Sequence, residues 1–356
     1  MMLRRLSLAG VLALSVTTSL FVGCDPPANH DGPADAAGDD DLLFRTTYGS
    51  GSGANPPVYG NTSALGEHAF NELDLTHAPH DGHVFQHVHL WDRARSAYAP
   101  DPLDAVWVDG AGEIHGSLGA TQYSGGDFIR SRWTIDVLTP TGTLTRELYI
   151  HAHQYHPTED YHGYTFSFPD DPAYGAHAVD PGRVRDLGAT AGACTVAEDG
   201  SIEAIVLAGH HVDPVTSVVS ARSDTMLIAC LSGAMGKALK WGYRPQALGA
   251  SAYQAAIRMV RADYCGDGVS WTEPGQAIDI KDEWPVHDWS NPAQFTETEA
   301  IWGPNGALCL GTPRLQDEFD YADITCPGGA RPACSPGDTL ATYQPAAMIW
   351  TRIRPN

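Results

Sequence analysis

Histidines at alternating positions are the residues with the clearest potential for metal chemistry. His83, His87 and His89 lie at positions of one parity in an apolar stretch, and His151 and His153 repeat the spacing later. Side chains two residues apart project from the same face of a β-strand. If the two strands pair, His87, His89, His151 and His153 could meet as ligands for zinc, copper or nickel. The alternative is an exposed polar sheet face on which histidines occupy outward positions.

The segments that carry these histidines have the composition of antiparallel strands. Residues 83–91 are rich in β-branched and aromatic side chains, and Asp109-Gly110 predicts a hairpin turn. Residues 132–138 and 144–151 alternate around a turn at Pro140-Thr141-Gly142. Short strands punctuated by glycine and proline favour an antiparallel sandwich or barrel over a wound parallel sheet.

The N-terminus has the layout of an export signal. Arg4 and Arg5 precede an uncharged apolar run, and Phe21-Val22-Gly23-Cys24 is typical of a lipobox, which predicts a lipoprotein signal peptide over residues 1–24 with lipidation at Cys24. Phe21 departs from the usual leucine, so an ordinary secreted protein is the alternative. Residues 25–64 form an acidic and then glycine-rich linker.

Six further cysteines lie in the C-terminal half of this exported chain, and an even number there indicates up to three disulfides. They are Cys194, Cys230, Cys265, Cys309, Cys326 and Cys334. Fifteen pairings satisfy the count. The preferred set is Cys194–Cys230, Cys265–Cys309 and Cys326–Cys334, because the first would join two consecutive strands and the last encloses a turn-rich segment.

The C-terminal half adds helices to the strands. Residues 233–241 predict a short helix, and Ser251 with Gln254 is a capping-box pattern at the start of a second helix that leads to residue 262. Arg258 and Arg261 are predicted to lie off its apolar face. The predicted fold class is therefore α+β, with a mostly antiparallel β region over 65–190 and a disulfide-stabilised α+β domain over 191–356.

The end of that second helix has reactive groups with competing interpretations. Cys265 could be a nucleophile, but an oxidising compartment favours a disulfide. Asp263 and Asp267 could act as acid and base, but carboxylates around a glycine turn more often accept hydrogen bonds from backbone amides. A calcium site there would not have the spacing of an EF-hand loop.

The same segment resembles a known family. Its residues are Ala262, Asp263, Tyr264, Cys265, Gly266, Asp267 and Gly268. Together with residues 241–245 and Arg258-Met259, they resemble the ADYC domain of bacterial cell-envelope lipoproteins, which is named for four of them. The resemblance extends over about residues 194–309 and is weaker upstream. It implies a cell-envelope location and supplies no reaction.

Two departures from the family pattern concern helix contacts. The family tends to carry cysteines where this chain has Ala238 and Ala256. Their joint absence implies that the two positions form a disulfide in relatives. The resemblance therefore implies that the two helices pack against each other here without that bond.

The composition and motifs of the chain argue against several classes of function. The formal charge is −22 with only three lysines, which argues against nucleic-acid and anionic-lipid surfaces as partners. No hydrolase, zinc-protease, phosphate-loop or dinucleotide fingerprint occurs. The leading hypothesis is a non-enzymatic cell-envelope module, anchored to the membrane by lipid, that binds an envelope or extracellular ligand and needs no cofactor. The alternative is a metal-binding protein or metal-dependent enzyme built on the histidine strands.

Overall fold

The structure is a computed structural model that describes residues 44–46, 71–167, 193–194, 197, 200–213, 216–272 and 276–355. The predicted signal peptide with Cys24, and the predicted linker apart from residues 44–46, lie outside these residues. Within them, no helix combines the length and the apolar character that a membrane crossing requires.

The described chain is mostly antiparallel β-structure. Its strands are β1 Phe44–Thr46, β2 Glu72–Asp74, β3 His83–His89, β4 Trp91–Asp92, β5 Ala97–Tyr98, β6 Ala105–Val108, β7 Ile114–Leu118, β8 Thr121–Ser124, β9 Arg132–Thr139, β10 Gly142–His156, β11 Tyr161–Ser167, β12 Ala204–Val212, β13 Val219–Cys230, β14 Gln276–Asp282, β15 Glu297–Gly303, β16 Gly306–Leu310 and β17 Ile349–Ile353. Its helices are α1 Ala234–Lys240, α2 Pro245–Leu248 and α3 Ala250–Arg261, with short 3-10 turns at Gly125–Phe128, Tyr321–Asp323 and Leu340–Tyr343.

A seven-stranded sheet in the order β2-β13-β12-β11-β10-β9-β3 forms the centre of the molecule. Its two edge strands, β2 and β3, are consecutive in the sequence and lie in contact, so the sheet is curled nearly into a barrel. All seven strands contribute apolar side chains to one core, from Leu73 on β2 to Phe85 and Val88 on β3. The line along which β2 and β3 meet is called the seam below.

The central strands β12 and β13 are apolar on both faces, because each face meets a different core. Ala204 and Val206 lie in the core inside the curled sheet, whereas Ile205 and Leu207 face a second core. This second core is completed by α1, α3 and a five-stranded sheet in the order β1-β14-β17-β15-β16. Smaller sheets, β4-β5 and β6-β7-β8, make up the rest.

The antiparallel prediction is confirmed, and the chain has more strand and less helix than the α+β class implies. The predicted hairpins exist as β6–β7, with Val108 opposite Ile114, and as β9–β10. The seven-stranded sheet takes strands from both sides of residue 190. The boundary predicted at residue 190 lies outside the described residues and stays a prediction.

Helix α3 begins differently from the prediction, and two of its arginines are buried. The structure has Gly249 as its N-cap, without a side-chain cap hydrogen bond. Gln254 instead accepts a hydrogen bond from the Val219 amide at 2.8 Å and donates one to the Pro304 carbonyl. Arg258 and Arg261, predicted to lie off the apolar face, are both buried. Their guanidinium groups bind backbone carbonyls and side chains of neighbouring segments, which allows their burial.

The predicted contact between the two helices is present. Helix α1 packs against α3, and Ala238 and Ala256 are both fully buried. Two alanines at these positions therefore leave the helix pair packed without a covalent bond.

All six cysteines form disulfides, but two of the three preferred pairings are wrong. Cys194–Cys230 is confirmed, whereas the others are Cys265–Cys326 and Cys309–Cys334. The segment after Cys326 first makes a tight turn, in which the Gly329 amide donates to the Cys326 carbonyl at 2.9 Å. It then runs beside β16, where the Leu310 amide donates to the Pro332 carbonyl and the Cys334 amide donates to the Leu310 carbonyl. That path places Cys334 beside Cys309. Three disulfides are typical of an oxidising compartment outside the cytoplasm.

Candidate functional site

The segment 258–268 starts in the last turn of α3, which ends at Arg261. The next residue, Ala262, is fully buried and adopts the left-handed conformation with φ 51°. Its amide and that of Asp263 donate to the Met259 and Arg258 carbonyls, which closes the helix end. The helix therefore ends at its C-cap Ala262, before the Gly266-Asp267-Gly268 turn.

Asp263 holds that turn in place. Its carboxylate is fully buried and accepts hydrogen bonds from the amides of Asp267 and Gly268 at 3.1 and 3.0 Å. Burial raises the pKa of Asp263, and the nearby Arg258 and Arg261 oppose that rise. Gly266 has φ 70°, and a Cβ there would collide with the Asn305 carbonyl oxygen. Asp263 thus supports the backbone, as the non-catalytic interpretation predicts.

Tyr264 belongs to a buried network that ties α3 to β15. Its hydroxyl donates to Glu299 at 2.8 Å and accepts from the Arg314 amide at 2.9 Å. Glu299 and Arg314 form a fully buried ion pair at 2.9 Å. Arg314 also donates to the Val260 and Met259 carbonyls at 3.0 and 2.8 Å. Burial holds the pKa of Tyr264 well above its usual range, so the phenol stays protonated.

Cys265 completes this arrangement through its disulfide to Cys326. Arg331 donates from its guanidinium to the Tyr264 and Cys265 carbonyls. The segment 258–268 with Glu299, Arg314 and Arg331 is called the hub below. Its cysteine is oxidised, and its buried carboxylates Asp263 and Glu299 face arginines, so these groups connect segments of the fold.

The predicted histidine set is not brought together by strand pairing. Strand β9 lies between β3 and β10, so the two histidine strands are not neighbours. A bulge between Phe85 and His87 also changes the alternation of β3. Phe85 and Val88 both point into the core, which places His87 and His89 on the opposite face from His83.

Each predicted ligand has a partner of its own. The rings of His87 and His89 lie 4.9 Å apart, and His89 Nδ1 lies 2.9 Å from the Ala99 carbonyl oxygen. His151 is buried and hydrogen-bonded to Ser167. His153 shares a 2.9 Å hydrogen bond with His162. Metal binding by His87, His89, His151 and His153 as one set therefore has no geometric support from the sheet.

Burial keeps several of these imidazoles neutral. It lowers the pKa of His151 to about 4, with a smaller effect from the positive charge of Arg130. Burial also lowers the pKa of His87 and of His153. These histidines therefore stay uncharged down to a lower pH than an ordinary histidine does.

A different cluster of histidines and carboxylates lies at the seam. It consists of Glu72, His80, Asp81 and His211, whose ligand atoms all lie within 4.8 Å of one another. Glu72 Oε2 lies 2.6 Å from His211 Nδ1 and 3.3 Å from His80 Nε2. His80 Nε2 lies 3.5 Å from Asp81 Oδ2. This set is called the seam cluster.

Three separate elements position the seam cluster. Glu72 is on β2, His80 is in the loop between β2 and β3, and His211 is on β12 beyond a bulge. Neither His80 nor His211 belongs to the histidine set predicted from the sequence, and His211 is part of a strand. No sequence pattern around Glu72 marks it as a ligand, because only the tertiary fold brings it to the histidines.

A second cluster surrounds the β6–β7 hairpin, with Asp109, Glu113 and His115 close enough to share an ion. All three are partly exposed. Asp109 already accepts hydrogen bonds from the Ala111 and Glu113 amides at 2.9 and 2.8 Å. One oxygen of this carboxylate therefore shapes the turn, and the other, Oδ2, lies 3.1 Å from His115 Nε2.

Comparison with known proteins identifies the architecture around the hub. The ADYC domain family model matches residues 125–316, which is more than half of the chain. The chain belongs to the ADYC domain family. No curated protein and no solved structure matches it.

The ADYC domain extends further upstream than the resemblance over residues 194–309 predicted. It starts at the 3-10 turn Gly125–Phe128, and so includes β9, β10 and β11 of the curled sheet. His211 lies within the ADYC domain, whereas Glu72 and His80 precede it. The seam cluster is therefore assembled from the domain and from the segment before it.

A cavity of about 480 Å³ lies beside the start of the ADYC domain. Leucine and isoleucine side chains line its wall together with Trp91 and Tyr123, and three carboxylates and Arg93 surround them. The carboxylates are Asp92, Asp101 and Asp127. Asp92 and Asp127 accept backbone hydrogen bonds. Asp101 makes no hydrogen bond or ion pair among the described residues.

Proposed function

We propose that this ADYC-domain protein is a non-enzymatic ligand-binding module of the cell envelope, held at a membrane by a lipid on Cys24. The export signal and the three disulfides support the location. The cavity beside Trp91 is the observation that carries the binding role. The hub supports a non-enzymatic role, because its cysteine, tyrosine and aspartate are all used to connect secondary-structure elements.

The chemistry of the cavity favours a small amphipathic cation. Its wall provides apolar contact. Of its carboxylates, Asp92 pairs with Arg95 at 3.3 Å, whereas Asp101 has no ion-pair partner among the described residues and remains available to a cationic ligand. A ligand with a short apolar body and an ammonium group would bury its body against Leu103 and Leu118 and place its charge beside Asp101. This ligand class is part of the proposal.

Matched probes test this proposal. Hexylamine and hexanoate have similar apolar bodies and opposite charges, so we expect hexylamine to bind about 10-fold more tightly by calorimetry, with a change in Trp91 fluorescence. Asp101→Asn should weaken hexylamine and leave hexanoate unchanged, and Leu118→Trp should exclude both by filling the cavity. If neither hexylamine nor hexanoate binds, the assignment of the cavity as a ligand site is wrong.

The lipid anchor is tested separately. The full-length protein expressed in a bacterial host should fractionate with membranes, and the Cys24→Ser variant should not. Mass spectrometry of the N-terminal peptide should find a diacylglyceryl group on Cys24. An unmodified N-terminal peptide from membrane-bound protein would contradict the anchor.

A second candidate function is binding of a transition metal such as zinc, copper or nickel. The observation that favours it is the seam cluster. Its residues are different from the histidine set predicted from the sequence.

A further inference from the structure

The geometry points to a binding site for a divalent first-row transition metal ion at the seam, formed by Glu72, His80 and His211 with Asp81 as the fourth ligand. This site is independent of the cavity beside Trp91. Either assignment can fail without affecting the other.

The donor set matches the chemistry of such ions. Imidazole nitrogens suit zinc, copper and nickel, and carboxylate oxygens complete many zinc sites. Two neutral histidines with Glu72 and Asp81 would carry two negative charges, which balance a divalent cation. No cysteine is required, in agreement with the use of all six in disulfides.

The distances between donor atoms are close to those of a tetrahedral site. Zinc bonds of about 2.0–2.1 Å imply that ligand atoms lie about 3.3 Å apart. His80 Nε2 lies 3.3 Å from Glu72 Oε2 and 3.5 Å from Asp81 Oδ2. The 2.6 Å contact between His211 and Glu72 is a hydrogen bond, and it would lengthen when the metal replaces the shared proton.

The surroundings of Glu72 provide a second, independent observation. Its side chain is 4% exposed, and its Oε1 atom is buried without a hydrogen-bond partner among the described residues. Among the residues that the structure describes, its ion-pair partners are His80 and His211, and no lysine or arginine pairs with it. Buried carboxylates are ordinarily paired with a cation or bound to a metal. A metal ion would supply the missing positive charge.

The backbone holds the donors before any ion binds. Glu72 is opposite Leu227 in the pairing of β2 with β13. The loop that carries His80 is fixed by two hydrogen bonds between the backbones of His80 and His83, each 2.8 Å long. His211 is opposite Ser220 in the pairing of β12 with β13. Ligands on paired strands need little rearrangement to bind an ion.

The position of the site implies a structural consequence of binding. Glu72 belongs to one edge strand of the curled sheet, and His80 belongs to the loop that leads to the other edge strand. His211 lies two strands away from β2 on the sheet. An ion shared by all three would hold the seam closed. Because it would bind the folded state and not the unfolded one, it should raise the melting temperature in proportion to the logarithm of its concentration.

Zinc is the probe for the test, with protein purified without a histidine tag and treated with EDTA. Calorimetry and elemental analysis should find one zinc per chain, and cobalt should give the visible absorption of a tetrahedral site. Glu72→Gln and His211→Gln should each weaken zinc by at least 100-fold and abolish the thermal shift. The matched control His115→Gln, which alters the hairpin cluster, should bind zinc as the wild type does.

The exposed ligand keeps the test informative if the buried variants do not fold. Asp81→Asn removes a surface carboxylate, so the variant should fold, bind zinc about 10-fold more weakly and change the cobalt spectrum. Absence of stoichiometric zinc in the wild type would overturn the assignment and leave the cluster as a hydrogen-bonded structural group. Zinc binding that is lost in His115→Gln and kept in Asp81→Asn would move the site to the hairpin.

Discussion

The hub and the seam both bury carboxylates, and they differ in what faces those carboxylates. In the hub, Glu299 is paired with Arg314, and Asp263 has Arg258 at 3.7 Å. At the seam, the ion-pair partners of Glu72 among the described residues are the imidazoles of His80 and His211. A permanent cation makes a buried carboxylate part of the architecture, whereas a histidine can release its proton to make way for a metal ion. The contrast separates the family motif from the candidate binding chemistry.

The largest expected effect comes from breaking the ion pair of the hub. Arg314→Leu leaves Glu299 buried without a cation and frees the Met259 and Val260 carbonyls. We expect a loss of about 3–5 kcal/mol in the free energy of unfolding, measured by urea denaturation. The double variant with Glu299→Leu should recover part of the loss, because it removes the unpaired charge. If Arg314→Leu were as stable as wild type, the hub would not be the structural connection described.

The next effect concerns His151, a buried histidine near the positive charge of Arg130. His151 has a pKa of about 4 in the folded protein against about 6.5 when unfolded. Between these values only the unfolded chain takes up the proton, so its stabilising contribution is present above pH 6.5 and is lost as the pH falls to 4. The free energy of unfolding lost in this way between pH 6.5 and pH 4 is about 3 kcal/mol.

The measurement is urea denaturation of wild type and His151→Gln at pH 7.5 and pH 4.0. On going from pH 7.5 to pH 4.0, the free energy of unfolding should fall by about 3 kcal/mol more in wild type than in the variant. Equal losses in the two proteins would mean that His151 is not the group responsible. Because both proteins carry the same surface carboxylates, comparing them removes the contribution of those groups to the loss.

A smaller gain is expected from restoring the bond that the family resemblance implies. Ala238→Cys with Ala256→Cys would cross-link α1 to α3 next to the hub. We expect a gain of about 2 kcal/mol, below the loop-closure value of about 3 kcal/mol, because engineered disulfides often introduce strain. Denaturation with and without reductant measures the gain. A cross-link that fails to form would show that the two Cα atoms lie too far apart.

Sequence patterns predicted the parts of the fold that depend on local chemistry. Ile205 and Leu207 lie in a continuous apolar run, and Asp109-Gly110 marks a hairpin, so β12 and the β6–β7 hairpin were predictable. Cys194–Cys230 was also predictable, but the other two disulfides were not, because the path of residues 326–334 beside β16 depends on long-range packing. Strand faces were also missed where a bulge shifts the alternation, as between Phe85 and His87.

The candidate site was less predictable than the fold for the same physical reason. His80 and His211 are far apart in the sequence, and Glu72 belongs to a three-residue strand without a periodic pattern. Only the curling of the seven-stranded sheet brings them together. By contrast, the hub motif is contiguous, so its residues were recognisable even though their structural role required the fold.

The smallest expected effect is the most direct test of the contrast between the hub and the seam. In protein without metal, Glu72→Gln removes a buried charge with which no lysine or arginine of the described residues pairs. The amide can still bind His211. We therefore expect a change of no more than about 1 kcal/mol in the free energy of unfolding, and stabilisation is an acceptable outcome because the desolvation cost of the carboxylate disappears. With saturating zinc, the wild type should become more stable than the variant. A loss of 3 kcal/mol or more in metal-free Glu72→Gln would place Glu72 in the same class as Glu299, because only a carboxylate with a structural role would cost that much to remove.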